Sequence, residues 1–583
     1  AKMKLDSWIA WVAPLAVALA AACSVPTDTP EAADLALVNA TIVTLDDAVP
    51  EAEALAVRDG RIAAIGGAAD IEPLVDAETR VLDLGGQLVI PGFIEGHGHF
   101  MGVGQAKMVL DLRSPATWDE IVEMVAAAVE AAEPGELIRG RGWHQDKWTR
   151  APEDAVEGFP VHATLSAVSP ENPVVLTHAS GHAAFVNGRA LELAGIGPET
   201  PDPPGGRILR DADSRPTGLL NETAQSLVAS EILNRATGRE SGLTPAVAQR
   251  MIELASEEVL AKGVTTFTDA GSSWETIDLL ERAAEDGSLD VRLWVMVREP
   301  NERLAPELAS RKVRDAGGGM LTVGGIKVSI DGALGSRGAW LLEPYSDLPS
   351  TTGLNLVPVE EVAETARLAL EHDYQLAVHA IGDRANREVL DIYERAFAER
   401  PEEGDLRWRI EHAQHLHPDD IPRFGELGVI ASMQGVHCTS DGPWVPDRIG
   451  DERARQGAYV WRSLADTGAL IVNGTDAPVE DVDPIASYHA SVSRRLADGS
   501  VFYPEQRMER LEALRTYTLN AAYAIREEAS RGSLAPGKLA DIVVLSRNIL
   551  EVPEEEIPRA EVVYTILDGE IVYAAQAGET PRG

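Results

Sequence analysis

Between residues 87 and 476 the chain repeats one motif, a short run of apolar and β-branched residues followed, after a turn, by a longer segment. The runs are "QLVIPGFIEGH", "GVTTFTDAG", "LDVRLWVMV", "GGIKVSI", "QLAVHAI", "RWRIEHA", "GVIASMQ" and "ALIVNGTD". Intervening segments such as "TPAVAQRMIELASEEVLAKG" and "PVEEVAETARLALEHD" carry apolar residues at three- and four-residue steps, the period of an amphipathic helix. Strands alternating with helices demand a parallel sheet with its helices outside, and eight of them predict an α/β chain folded as a (β/α)8 TIM-like barrel. At 583 residues the chain has room for that barrel and appendages.

The appendages show in the spacing. "LALVNATIVTLDDAVPEAEALAVRDGRIAAIG" alternates apolar and polar residues and breaks at a hairpin signal, and "SLAPGKLADIVVLSRN" through "VVYTILDGEIVYA" repeats the style near the other end. These segments, 35–90 and 531–583, predict one small β-sandwich built from both chain ends, flanking a barrel over 91–530. The first two barrel strands are separated by a far longer segment than the rest, too rich in apolar strands to be a loop, so an inserted cap subdomain is expected over 101–262.

The N-terminal segment carries an address. Lys2 and Lys4 precede the apolar run "WIAWVAPLAVALAAAC", which ends in small residues at Cys23, the layout of a signal peptide over 1–23, with 24–34 a polar tether. The run is short for a membrane span, which needs about 20 apolar residues. It resembles the bacterial lipoprotein signal, in which the cysteine is lipidated after export; that resemblance implies a periplasmic protein held to the outer membrane through Cys23, against the simpler expectation of a cleaved signal and a soluble periplasmic or secreted protein. Cys438 is the only other cysteine, so the mature chain forms no internal disulfide. With 93 acidic against 51 basic residues the formal net charge is −42, which excludes nucleic acid as a partner and leaves the anchor as the one expected membrane contact.

Active sites of this architecture lie at the carboxyl ends of the strands. His97 and His99 follow the first strand, Lys327 lies in the fourth, His379 in the fifth, His412 in the sixth and Asp476 ends the eighth. Residues two apart on a strand share a face, so His97 and His99 can chelate one ion. Singly, each has an ordinary explanation, since a lone histidine beside an apolar strand is usually hydrogen-bonded core and "GTDAP" suits an Asx turn. Lys327 is harder to explain so, because an ammonium between "GGI" and "VSI" is buried and needs a partner. Six potential ligand groups at successive strand ends point together to a metal centre.

The ordered series "NATIVTLDD", "PGFIEGHGHF", "GRGWHQDKW", "GHAAFVN", "KVSIDGALGSR", "VHAIGDRA", "IEHAQHL", "GTDAPVEDVDP" and "GSLAPGKLADIVVL" resembles the metal-dependent amidohydrolase superfamily, in its YtcJ-like (amidohydrolase family 3) branch. The resemblance implies two divalent ions, most simply Zn²⁺, with His97 and His99 on the more buried one and His379 and His412 on the second. Lys327, carboxylated to N6-carboxylysine, would bridge them, and Asp476 would bind the first ion and carry the proton of a metal-activated hydroxide. Glu95 stands where that superfamily commonly has Asp and is expected outside the ligand set. His437 after the seventh strand, and His182, Trp143 and His144 of the insertion, are candidates for substrate contact. His415, His417 and His489 read as surface or helix residues, and Arg384 as a loop anchor. The function implied is hydrolysis of a C–N bond in a small amide, N-acyl or N-formyl amine; ester hydrolysis, deamination or isomerisation on the same site, or a non-catalytic binding protein, are the alternatives, and a homo-oligomer is compatible with any of them.

The leader makes a first prediction. Replacing Cys23 with Ser removes the acceptor of the lipid, and since each acyl chain contributes about 0.8 kcal/mol per buried CH₂, membrane fractionation should find the wild type sedimenting with membranes and the variant released. Wild type recovered wholly in the soluble periplasmic fraction excludes the anchor.

Overall fold

The run that opens the barrel changes sheets at Gly92. Leu88–Pro91 pairs with Thr41–Val43 and Ile542–Leu545 in one sheet, whereas β1 (Phe93–Gly98) pairs with β2 (Val264–Ser272) in another. A Cβ on Gly92 would lie 2.2 Å from Thr265 Oγ1, so only glycine passes this junction. The computed structural model describes residues 31–229, 232–234, 243–401 and 404–575. The expected signal peptide and most of its tether lie outside the described residues, and no helix among those described is long and apolar enough to cross a membrane.

The barrel continues with β3 (Arg292–Val297), β4 (Leu321–Ser329), β5 (Gln375–Ala380), β6 (Arg409–His412), β7 (Ile430–Gln434) and β8 (Ile471–Gly474). All eight lie in sequence order in one parallel sheet, as the strand–helix alternation predicts. The last strand meets the first through irregular bonds: the Asp476 amide donates to His97 O (2.8 Å) and the Thr475 amide to Glu95 Oε1 (2.5 Å). The lower interior is packed by Ile94, Trp294, Met296, Ile430 and Val472 against Ala521 and Ile525. Helix Leu519–Ala524 thus plugs the amino-terminal end, held there by Gln375 and Asn520.

Both chain ends meet in the predicted β-sandwich. A four-stranded sheet (Arg61–Gly66, Ala54–Arg58, Leu35–Val38, Arg80–Asp83) faces a six-stranded one that joins Leu88–Pro91 to Ile542–Leu545 and Val562–Leu567, over a core of Leu37, Val57, Val89, Val544 and Ile566. Arg292 of β3, 2% exposed, ties the sandwich to the barrel through Asp541 (2.9 Å) and Asp568.

The cap is smaller than expected. Helices Phe100–Ala106 and Pro245–Ala261 fall at the two ends of the 101–262 span, the first beginning one residue before it, yet Phe100, Val103, Met251, Ala255 and Val259 belong to the barrel core, and the helices approach so closely that a Cβ on Gly104 would lie 1.9 Å from Met251 O. The insertion proper lies between them. Its six-stranded sheet (order Gly206–Arg210, Pro216–Glu222, Ala183–Val186, Val174–His178, Ile138–Trp143, Leu110–Asp111) buries Trp118, Trp143, Phe159 and Phe185 in one core and Leu191, Ile208 and Leu220 in another.

Barrel closure is tight on both sides of the seam: a Cβ on Gly96 would lie 2.3 Å from Asn473 O, and one on Gly474 2.6 Å from the His97 nitrogen and 2.7 Å from Glu95 Oε1. Gly474→Ala should therefore destabilise the fold by about 1–3 kcal/mol through overpacking, read as a lower apparent Tm by calorimetry; an unchanged Tm would mean that β1 and β8 are free to part.

Candidate metal centre

Side chains two apart on β1 point into the barrel, and this carries Glu95 and His97 inward, both with no exposed surface. His99 follows at the strand end and begins helix Phe100–Ala106, whose first amide is held by Asp269 Oδ1 at 2.8 Å. His412 and Asp476 end their strands with φ of 76° and 57°, left-handed conformations uncommon for such residues that turn their side chains across the mouth.

These residues converge. Asp476 Oδ1 lies 3.4 Å from His97 Nε2 and 3.1 Å from His99 Nε2, and the His412 ring is 4.7 Å from that of His97 and 4.5 Å from that of His379, between centroids. The ligand atoms of His97, His99 and Asp476 fall within 4.8 Å of one another, as do those of His412, His437 and Asp476. Around them His97 Nε2, His379 Nε2, His437 Nε2 and Asp476 Oδ1 are buried without a hydrogen-bond partner among the described residues. Each orphan of this kind costs about 1–3 kcal/mol, and lone pairs aimed at one point are satisfied together by a cation. The donor set fits a divalent metal of the zinc type.

The opposite ring nitrogens fix which Nε2 atoms carry a free lone pair. His97 Nδ1 pairs with Glu411 Oε2, and His412 Nδ1 donates to Gln434 Oε1 at 2.8 Å, so each presents an Nε2 lone pair to the centre. His437 is different. Its Nδ1 accepts from Gln414 Nε2 at 3.1 Å, leaving Nε2 a donor suited to a substrate oxygen. His379 Nε2 makes no hydrogen bond, the nearest carboxylate oxygen being Asp331 Oδ1 at 3.5 Å.

Electrostatics follow from burial. Burial opposes charge on Asp476, but the neighbouring His97 and His99 hold its carboxyl well below the usual range. Lys327, 2% exposed, has no hydrogen bond or ion pair among the described residues, and burial pushes its ammonium down to about 8. It faces the same cavity as His99, His379, His412 and Asp476. Glu95 lies outside the ligand set as expected; it holds the Thr475 amide, and burial pushes its carboxyl up to about 8.

The remaining candidates separate. His182 lines the cavity with its Nδ1 on Glu222 Oε2 (2.7 Å), and His144 lies against the rings of His178 and Trp444. Trp143 requires a correction: it is fully buried in the cap core and donates to Leu176 O (2.8 Å). A bulge at Gly142 (φ 109°) breaks the alternation, so Arg141, which sequence reasoning missed, faces the site in its place. His415 is also corrected, being 3% exposed inside the fold. His417 and His489 stay apart from the centre, and Arg384 pairs with Glu388 on its own helix, the loop beside it being held by Asp383 through the Leu342 amide.

Sequence reasoning missed three further charged groups. Glu411 and Arg409, both fully buried, pair beneath His97, and Asp331 accepts the amides of Trp340, Ile381 and Gly382 beside His379. Their one signal was charge inside apolar strands, "RIEH" and "VSID".

Comparison with known proteins agrees with this construction. The chain is 31% identical over 547 residues to the protein YtcJ of Bacillus subtilis, covering 91% of this chain and 98% of that one. It is 29% identical over 549 residues to the N-substituted formamide deformylase of Arthrobacter pascens, covering 93% and 98%. A solved structure, an uncharacterized metal-dependent hydrolase from Pyrococcus horikoshii OT3, superposes with a TM-score of 0.71 at 27% identity, covering 89% of this chain and 99% of that one. The family model described as "Amidohydrolase family" matches residues 80–573, and the chain belongs to that family.

Proposed function

We propose that the protein is a two-metal hydrolase that cleaves the C–N bond of a small N-acyl or N-formyl amine. The observation that carries this is the convergence of His97, His99 and Asp476 ligand atoms within 4.8 Å of one another at the barrel mouth, beside buried His97 Nε2 and His379 Nε2 atoms that no hydrogen bond among the described residues satisfies. The likeness to a protein named for deformylating N-substituted formamides supports the choice of bond. In this function His97, His99 and Asp476 would hold one cation and His379 and His412 the other, with Lys327, as a carbamate, a further ligand. When bound, such a pair polarises a carbonyl and brings the pKa of water far below its bulk value.

The chain's own groups do the rest. Asp476, kept ionised beside two imidazoles, takes a proton from the attacking water and delivers it to the leaving nitrogen. Glu411 and Gln434 keep His97 and His412 in the tautomers that leave Nε2 free. His437 Nε2–H, facing the cavity, is placed to donate to a substrate oxygen. Lys327 forms no ion pair among the described residues, and its carboxylation would replace a buried cation by an anion with two oxygens.

Two outcomes are expected. Asp476→Asn should fold and lose turnover by about 10²- to 10⁴-fold, the range supplied by a positioned acid–base group, measured as kcat on N-formyl and N-acyl amines with zinc-reconstituted enzyme; near-normal kcat would remove Asp476 from proton transfer. Lys327→Ala should bind less zinc and lose activity, with small carboxylates restoring part of it. Wild type given ¹³C-bicarbonate and zinc should show a carbamate carbon signal that the variant lacks, and a fully active wild type without that signal would refute the bridge.

A further inference from the structure

We propose that the substrate carries a carboxylate, and that Arg141 of the cap and Arg298 at the end of β3 form its receptor; this rests on the amide hydrolysis proposed above and names the substrate class. His379, His412 and Asp476 line two cavities that open on either side of them. One is walled by Leu334, Ile381 and Trp444, with the His144 ring 5.7 Å from that of Trp444. The other, of about 380 Å³, receives Arg141 and Arg298. The first also carries Lys147, Gln414, Asp441 and Glu480, so what sets the second apart is the pair of arginines that enters it.

Neither arginine has a carboxylate partner among the described residues. Arg141 donates Nε to Pro478 O (3.2 Å) and reaches Ala179 O (3.4 Å), and Arg298 donates Nη2 to Ser329 Oγ (3.1 Å). In a chain of net charge −42 that is unusual, and Arg448, by contrast, sits between Asp146 (2.7 Å) and Asp347 (2.6 Å). Of the carboxylates lining the chamber, Glu222 is held by His182 (2.7 Å), and Asp476, which lies beside His97 (3.4 Å) and His99 (3.1 Å), forms no ion pair with either arginine among the described residues. Two guanidiniums without a salt-bridge partner among the described residues line one cavity, and their planar donor forks match a carboxylate. The bulge at Gly142 is what aims Arg141 there while Trp143 turns into the cap core. Arg298 also has a neighbour in Lys327, since a Cβ on Gly271 would lie 3.0 Å from Arg298 Cδ and 3.3 Å from Lys327 Cγ. Arg141 touches no proposed metal ligand directly, though it donates to Pro478 O in the loop after Asp476, so the test is made on it and separates KM from kcat.

The probe pair is N-phenylacetylglycine and its neutral N-methylamide, with phenylacetate release followed on zinc-loaded enzyme. Wild type should prefer the acid by about 10- to 100-fold in kcat/KM, the range of a charge-assisted contact. Arg141→Gln should act mainly through KM for the acid and shrink that preference at least about tenfold, with Arg141→Lys recovering part of it. A wild type that treats the two compounds alike, or a preference that Arg141→Gln leaves intact, overturns the receptor. If neither compound is cleaved, the amide function is what fails, and titration calorimetry decides the receptor by itself. Tighter binding of the acid than of the methylamide, with and without zinc, and its loss in Arg141→Gln, supports it; equal binding refutes it.

Discussion

A buried charge relay, Arg409 to Glu411 to His97, underlies the geometry of the whole mouth. All three side chains are fully buried. Arg409 also donates to Gly96 O (2.6 Å) and Ser432 Oγ (2.8 Å), so one guanidinium on β6 grips β1 and β7 at the level of the ligands. Such an ionic group adds little net stability, but losing one member leaves a naked charge at a cost of about 3–5 kcal/mol. Its contribution is orientation. With Glu411 accepting from Nδ1, the His97 ring has one tautomer and one direction, and His99, His412 and Asp476 lie beside that fixed lone pair.

The two ends of the barrel divide the work. Below, helix Leu519–Ala524 fills the opening, and the Arg292–Asp541–Asp568 group ties on the sandwich, so stability is concentrated away from the chemistry. Above, left-handed turns at His412 and Asp476 and uncapped lone pairs at His97 and His379 are tolerated because the lower layers hold the strands in place. The closure at Gly96 and Gly474 connects the two regimes, since β8 reaches β1 there through glycine-sized gaps.

Much of this was legible in the primary structure, for identifiable reasons. Buried parallel strands read as unbroken apolar runs, which is why all eight were placed, and polar residues closing those runs stood out as ligands. What escaped depended on local or long-range geometry. The alternation that should place Trp143 beside Arg141 fails at one bulge, and nothing in "GRGW" distinguishes a bulged from a regular glycine. The cap boundary was misplaced because helices Phe100–Ala106 and Pro245–Ala261, far apart in sequence, pack on each other and not on the insertion. Glu411 adjoins a ligand in "IEH", but its role requires knowing that β6 faces β1 across the barrel.

The cap's two private cores have an evolutionary consequence. Trp118, Trp143 and Phe185 on one side and Leu191, Ile208 and Leu220 on the other let this module fold largely on its own apolar contacts, while the metal-binding residues all belong to barrel strands or their ends. A lineage can therefore exchange the side chains that the cap presents to the cavity without disturbing either the closure of the barrel or the tautomer of His97. Selectivity and chemistry are heritable separately, and descendants sharing one hydrolytic centre are free to diverge in diet.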